Sequence, residues 1–226
     1  MSLQNKLCVS IAQGRKEQII DKAKKYPFIE FCLEKLDCTV EELDSLRNYI
    51  NRVIISCNIK TNTYTAAEKQ TVLNRLLSYI ECEPDIVDIP ICLFDDKNQL
   101  NGLLDKINSK NKKILISYHK YDCFGSINEF DAVISKMKMY NPAYYKLAVK
   151  CKDVEEANIF LSLYKKYPEL KDKLILVPMI KEYPISRLRS LALGSAFMYC
   201  CDDVPVADGQ MSYDKMFTIL KSINHE

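Results

Sequence analysis

Short apolar, β-branched runs recur along this chain, each followed by a polar stretch long enough to return it to its starting side. The runs are "KLCVSIA" (6–12), "PFIEFCL" (27–33), "RVIISCN" (52–58), "DIVDIPI" (85–91), "KILISYH" (113–119), "YYKLAVK" (144–150), "KLILVPM" (173–179) and "GSAFMYC" (194–200). Each reads as a strand. Between them, "VEELDSLRNYI" (40–50) and "DVEEANIFLSLYKKY" (153–167) show helical spacing. In the second, Val154, Ala157, Leu161 and Tyr164 recur at three- or four-residue steps, which predicts one apolar helix face. Strands that alternate with helices imply parallel pairing and right-handed crossovers. Eight such units in 226 residues predict a single (β/α)8 TIM barrel spanning residues 1–226. A doubly wound open sheet is the alternative, but no G-x-G-x-x-G or P-loop supports it. With only five glycines, no Gly/Ser/Pro-rich linker divides the chain.

Composition narrows the class of protein. Hydrophobic residues make up 48% and charged residues 27%, enough for one sizeable core. The formal net charge is +2, and basic residues cluster no further than pairs such as Lys112-Lys113, so no nucleic-acid partner is expected. The apolar runs are too short to span a bilayer, and the opening "MSLQNKLCVS" has no signal-peptide core, so a cytoplasmic protein with no membrane partner is expected. Ten cysteines are scattered through apolar runs (Cys8, Cys32, Cys57, Cys92) with no C-x-x-C pair, so they read as small hydrophobes and no zinc site is expected. The adjacent Cys200 and Cys201 could form a redox pair, which a reducing cytosol disfavours.

In a barrel, chemistry belongs at the C-terminal ends of the strands. Glu30, Asp88, His119 and Lys146 fall on the second, fourth, fifth and sixth runs. Only two histidines occur, and His225 stands next to the last residue, so imidazole chemistry falls to His119. Strand alternation puts Tyr144, Lys146 and Ala148 on one face. A lysine there can snorkel outward from an edge strand. Inside a parallel sheet covered on both faces that explanation is weak. The other reading is a desolvated amine with a lowered pKa, able to attack a carbonyl and form a Schiff base. His119 alone would read as a packed core imidazole. One strand from such a lysine, it reads as a proton shuttle.

The segments "SYH", "KLAV", "ISRLRSLALGS" and "ADGQ" are similar to those of the type I 3-dehydroquinate dehydratases, and the resemblance runs from "KLCVSIA" to "MFTILKSI". That family has the (β/α)8 fold and removes water from 3-dehydroquinate through an imine, in the shikimate pathway of aromatic amino acid biosynthesis. The resemblance implies that Lys146 forms the Schiff base and that His119 shuttles protons. It implies that Arg187 holds the substrate carboxylate, with Gln210 at the same end of the substrate. Ser10 and Glu30 would contact the ring hydroxyls or the site around them. It implies a homodimer. No sequence feature indicates a metal or an organic cofactor.

The chain departs from the family pattern at specific positions. The family's second strand reads E-x-R-x-D, and here it is Glu30, Cys32, Glu34. Asn58 and Asn62 stand for an arginine and a glutamate after the third strand, and Asp88-Ile89-Pro90 stands for D-x-E. Lys120-Tyr121 follows the histidine in place of Asp-Phe, and Asp208-Gly209-Gln210 replaces P-G-Q. The losses fall on groups that contact hydroxyls or tune His119, while Lys146, His119, Arg187 and Gln210 survive. The other expectations are a different imine-forming lyase or aldolase acting on a related keto acid, or a barrel that binds a metabolite without catalysis. With Asn62 in the glutamate position, His119 is expected to lack a carboxylate partner and to have a lowered pKa.

Overall fold

A computed structural model describes residues 3–14, 16–61 and 63–223; Asn62 and His225 lie outside them. The eight apolar runs form eight strands: β1 (Leu7–Ile11), β2 (Phe28–Cys32), β3 (Arg52–Ser56), β4 (Ile86–Pro90), β5 (Lys113–Lys120), β6 (Tyr144–Lys150), β7 (Leu174–Met179) and β8 (Met198–Cys200). All pair in parallel, in the order β7-β6-β5-β4-β3-β2-β1-β8. At the remaining seam, the Ala196 N–H donates to the Leu174 carbonyl at 3.2 Å. The sheet is therefore a nearly closed (β/α)8 barrel.

The helices between the strands are α1 (Lys16–Lys25), α2 (Val40–Asp44), α3 (Ala66–Tyr79), α4 (Lys97–Ser109), α5 (Ile127–Lys138), α6 (Val154–Leu161), α7 (Leu163–Lys166), α8 (Ser186–Ala192) and α9 (Tyr213–Ile223). Side-chain caps start several of them. Thr39 and Thr65 form capping boxes with Glu42 and Glu68, and Ser126 and Asp153 accept from the backbone N–H three residues on. The stretch 40–50 is less helical than its spacing predicts. It is the five-residue α2 followed by a 3-10 turn, Arg47–Tyr49. The stretch 153–167 divides at Ser162, and Val154, expected on the apolar face, is 42% exposed while Ala157, Leu161 and Tyr164 are buried. Val154 is the first residue of its helix, one turn short of the buried positions.

The two ends of the barrel differ. At the N-terminal end, the Arg52 guanidinium lies 4.3 Å from the Phe28 ring and 5.3 Å from the Phe197 ring, and it donates to the Tyr144 hydroxyl at 2.7 Å. This aromatic layer fills the barrel from below. At the C-terminal end the interior opens into a cavity of about 700 Å³. All ten cysteines are free, and eight are buried, in keeping with the hydrophobic reading. Cys200 Sγ donates to the Cys8 carbonyl at 3.4 Å. No described helix is long and apolar enough to cross a membrane.

Candidate active site

Four charged side chains are buried among the described residues: Glu30, Asp88, Lys146 and Arg187. The strand pleat explains three of them. Successive side chains alternate between the helix layer and the barrel interior, so one parity of each strand points inward. Glu30 on β2, Asp88 on β4 and Lys146 on β6 share that inward parity. Lys146 Nζ donates to Asp88 Oδ2 at 3.0 Å and lies 3.5 Å from Glu30 Oε1. The same ammonium stands 4.2 Å from the centre of the Tyr199 ring. Glu30 is held from its other side by Ser10 Oγ, which donates to Oε2 at 2.7 Å.

The electrostatics of Lys146 correct the expectation of a depressed pKa. Burial alone would push the amine down. Asp88, and behind it Tyr199 and Glu30, outweigh that effect, and the ammonium is held well above its ordinary range. Asp88 shifts upward because it is desolvated, against the opposing pull of Lys146.

His119 stands at the mouth-facing end of β5. Its Cα pairs with that of Ala148, and Ser117 pairs with Lys146, so the imidazole lies one inward layer above the lysine on the adjacent strand. Its pKa falls well below the ordinary value, first from burial and then from the charge of Lys146. Among the described residues no hydrogen bond engages its ring nitrogens. The ring stacks on Tyr121 at 5.7 Å between centroids and 9° between planes. Both rings line the cavity.

Arg187 and Gln210 close the opposite wall. Arg187, on the first turn of α8, is only 1% exposed. Its NH1 and NH2 donate to the Tyr199 and Asp208 carbonyls at 3.3 and 2.7 Å. No carboxylate neutralises it within 4 Å among the described residues, and burial brings its pKa down to about 10. Gln210 Nε2 donates to Ser10 Oγ at 3.3 Å, and its Oε1 accepts from the Val206 N–H at 2.8 Å. Gly209 makes this loop possible. Its φ is +68°, and a Cβ there would sit 2.5 Å from the Ile180 carbonyl oxygen. Arg187 Nε, Asn58 Oδ1 and the Tyr199 hydroxyl are buried without a hydrogen-bond partner among the described residues, and all three residues line the cavity. Such atoms are costly unless something satisfies them.

Known proteins match this chain in family and fold. The family model for type I 3-dehydroquinase matches residues 7–226. The chain belongs to the type I 3-dehydroquinase family. The family is one of hydro-lyases, and solved structures of its members share the fold. The 3-dehydroquinate dehydratase of Geobacillus kaustophilus HTA426 superposes with a TM-score of 0.78 at 16% identity, over 97% of this chain and 91% of that one. The enzyme of Aquifex aeolicus VF5 gives 0.75 at 20% identity, over 96% and 97%. The type I enzyme of Clostridium difficile, solved with covalently modified comenic acid, gives 0.73 at 21%, over 97% and 92%.

Within this type I 3-dehydroquinase fold, the six residues singled out in the sequence (Ser10, Glu30, His119, Lys146, Arg187 and Gln210) all line one cavity. Of the replaced positions, Cys32, Glu34, Asn58, Tyr121 and Asp208 lie there too, and Pro90 and Lys120 do not. Cys32 Sγ points to Glu30 Oε2 at 3.7 Å, and Glu34 accepts from the Asn58 N–H at 3.2 Å. The Asn62 substitution lies outside the described residues. Sequence reasoning placed Asp88 at a strand end but did not pair it with Lys146, and it did not find Tyr199. A carboxylate inside "DIVDIPI" is the same anomaly as a lysine inside "YYKLAVK", and two opposite anomalies on inward positions are candidates to meet.

Proposed function

We propose that this protein dehydrates 3-dehydroquinate to 3-dehydroshikimate through a Schiff base on Lys146, with His119 as the general acid and base. Family membership supports the reaction. The observation that carries the assignment of residues is the buried Lys146 beneath His119 in a cavity whose far wall holds an unneutralised Arg187.

The proposed steps assign a role to each of these groups. Lys146 rests as an ammonium and must shed a proton before it can attack. Asp88, at 3.0 Å and with an upward-shifted pKa, is the nearest acceptor. The amine adds to the substrate ketone, and water leaves as the imine forms. The protonated imine is an electron sink, so neutral imidazole suffices to remove the proton from the adjacent carbon. The resulting enamine expels the β-hydroxyl, which takes the proton from the imidazolium and departs as water. Hydrolysis of the conjugated imine consumes one water and returns the amine, so the net change is the loss of one water. Arg187 binds the carboxylate through its planar fork, with Gln210 beside it, while Ser10 and Glu30 face the ring. The protein works in the cytoplasm as a homodimer and uses no cofactor.

One observation favours a second reading. Cys32, Asn58 and Pro90 stand where the family carries charged groups, so contacts that would grip ring hydroxyls in the family are missing here. An imine-forming lyase or aldolase on a related keto acid needs fewer such contacts. Following the ultraviolet absorbance of the conjugated product from 3-dehydroquinate decides between the two. Turnover in the wild type that Lys146→Ala abolishes supports dehydration. Absence of product together with imine capture of another keto acid supports the second reading.

A further inference from the structure

One buried hydroxyl beside Lys146 has no role in the steps above. A (β/α)8 barrel fills its interior with layers of four side chains, contributed by alternate strands. Glu30 on β2, Asp88 on β4 and Lys146 on β6 take three places of one such layer, and Tyr199 on β8 takes the fourth. The Tyr199 Cα pairs with that of Cys8, two residues before Ser10 on β1. Ser10 faces Glu30, so Tyr199 shares the inward parity. Its ring presents a face to Lys146 Nζ at 4.2 Å, beside Asp88 at 3.0 Å and Glu30 at 3.5 Å.

Tyr199 is held firmly. Its carbonyl accepts from Arg187 NH1 at 3.3 Å, and its ring packs edge-on to Phe197, 5.4 Å between centroids. The residue is 4% exposed and lines the cavity. Yet its hydroxyl has no hydrogen-bond partner among the described residues. A buried O–H without a partner costs stability, and the packing described here uses only the ring, which phenylalanine would supply as well. Burial, opposed by the Lys146 charge, holds the phenol well above its ordinary pKa, so the hydroxyl keeps its proton and remains a donor. The acceptor it lacks can arrive with the ligand. A ketone attacked by Lys146 brings an oxygen to this level of the barrel, bonded to the very carbon that receives Nζ.

We infer that Tyr199 is a catalytic residue whose hydroxyl donates to the oxygen of the ketone captured by Lys146 and stabilises the negative charge that gathers there. This rests on the imine reading of Lys146 and assigns a further group to it. As the unprotonated amine attacks, the N–C bond forms and the carbonyl π pair moves onto oxygen. Tyr199 donates its hydrogen bond to that oxygen without giving up the proton, as a fixed donor in a dry site. Two of the three protons of the resting ammonium end on the oxygen, one by way of Asp88 and one by way of His119. The oxygen leaves as water while the nitrogen lone pair closes the C=N bond, and the third proton stays on the imine. Hydrolysis of the product imine retraces these steps, so Tyr199 serves both ends of the cycle and not the elimination between them.

Tyr199→Phe keeps the ring against Lys146 and removes only the hydroxyl. The probe is 3-dehydroshikimate, whose ketone can form and release the imine with the elimination already complete. In water enriched in oxygen-18, each round of imine formation and hydrolysis replaces the ketone oxygen, and mass spectrometry reads the uptake. The wild type should exchange faster than Lys146→Ala, which sets the uncatalysed level. Tyr199→Phe should exchange about 100-fold more slowly than the wild type, the effect of losing one such donor. It should also melt at or above the wild-type temperature, because it deletes a buried donor that the free protein leaves unpaired. Exchange within two-fold of the wild type would overturn the inference and leave the imine reading standing. Wild-type exchange no faster than that of Lys146→Ala would overturn both. A melting temperature below the wild type would show the hydroxyl already engaged in the free protein, and would overturn the inference alone.

Discussion

Lys146 Nζ lies 3.0 Å from Asp88 Oδ2, and both side chains are buried, at 5% and 0% exposure. A fully buried ion pair contributes little net stability, because desolvating two charges offsets their attraction. The carboxylate holds the amine in place and keeps it protonated at rest. On the proposed mechanism it is also the group that accepts the proton Lys146 must shed before it attacks the ketone.

Asp88→Asn tests that coupling. Removing one partner of a buried pair costs about 3 kcal/mol or more, less here because Glu30 remains 3.5 Å from the ammonium. Lys146 has a folded pKa above its unfolded value of 10.5, so its stabilisation is complete below that pH and is lost as pH rises through the folded value. In Asp88→Asn this alkaline loss should shrink. Urea unfolding between pH 7 and 11 measures both effects. An unchanged midpoint and unchanged alkaline dependence would place the proton elsewhere.

His119 has the opposite linkage. Its folded pKa lies well below 6.5, first from burial and then from the Lys146 charge. Below pH 6.5 the unfolded chain therefore binds a proton that the folded one does not, and stability should fall as pH drops through that value. The same shift keeps the base form available, so the acid limb of kcat/KM should lie below pH 6.5. His119→Ala should lower kcat by about 100-fold or more and flatten the acid-side loss of stability. Full turnover in His119→Ala would make the imidazole a packing residue.

Much of this was legible in the sequence, for physical reasons. A strand buried on both faces leaves an unbroken apolar run, so all eight strands could be read from their runs. The polar residues that interrupt those runs, Glu30, His119 and Lys146, mark the inward face. Tertiary neighbours were not legible. Whether Lys146 has a raised or lowered pKa depends on Asp88, two strands away in the sheet and 58 residues away in sequence. Stretch 40–50 has helical spacing, yet the chain must turn into β3 at Arg52, and only α2 and a 3-10 turn fit.

Gly209→Ala tests the loop that carries Gln210. The added Cβ meets the Ile180 carbonyl at 2.5 Å, and the left-handed backbone costs about 1 kcal/mol in addition. The loop should shift, with a lower melting temperature and a KM raised several-fold while kcat changes less. Steady-state kinetics separates the two constants, and a wild-type KM would show that the loop does not position substrate.

Arg187→Lys keeps the charge and removes the fork. The Tyr199 and Asp208 carbonyls lose one of their donors, at a cost of about 1–3 kcal/mol. KM should rise by ten-fold or more, since an ammonium cannot hold a carboxylate in two-point contact. An unaltered KM would mean that the carboxylate binds elsewhere.

The most direct measurement is borohydride reduction in the presence of 3-dehydroquinate, followed by peptide mass analysis. A Schiff-base mechanism on Lys146 predicts a covalent adduct on the peptide containing that residue. It should be absent without substrate, absent in Lys146→Ala, and not restored by Lys146→Arg, whose guanidinium forms no imine. An adduct on a different lysine, or product formation that persists in Lys146→Ala, would contradict it.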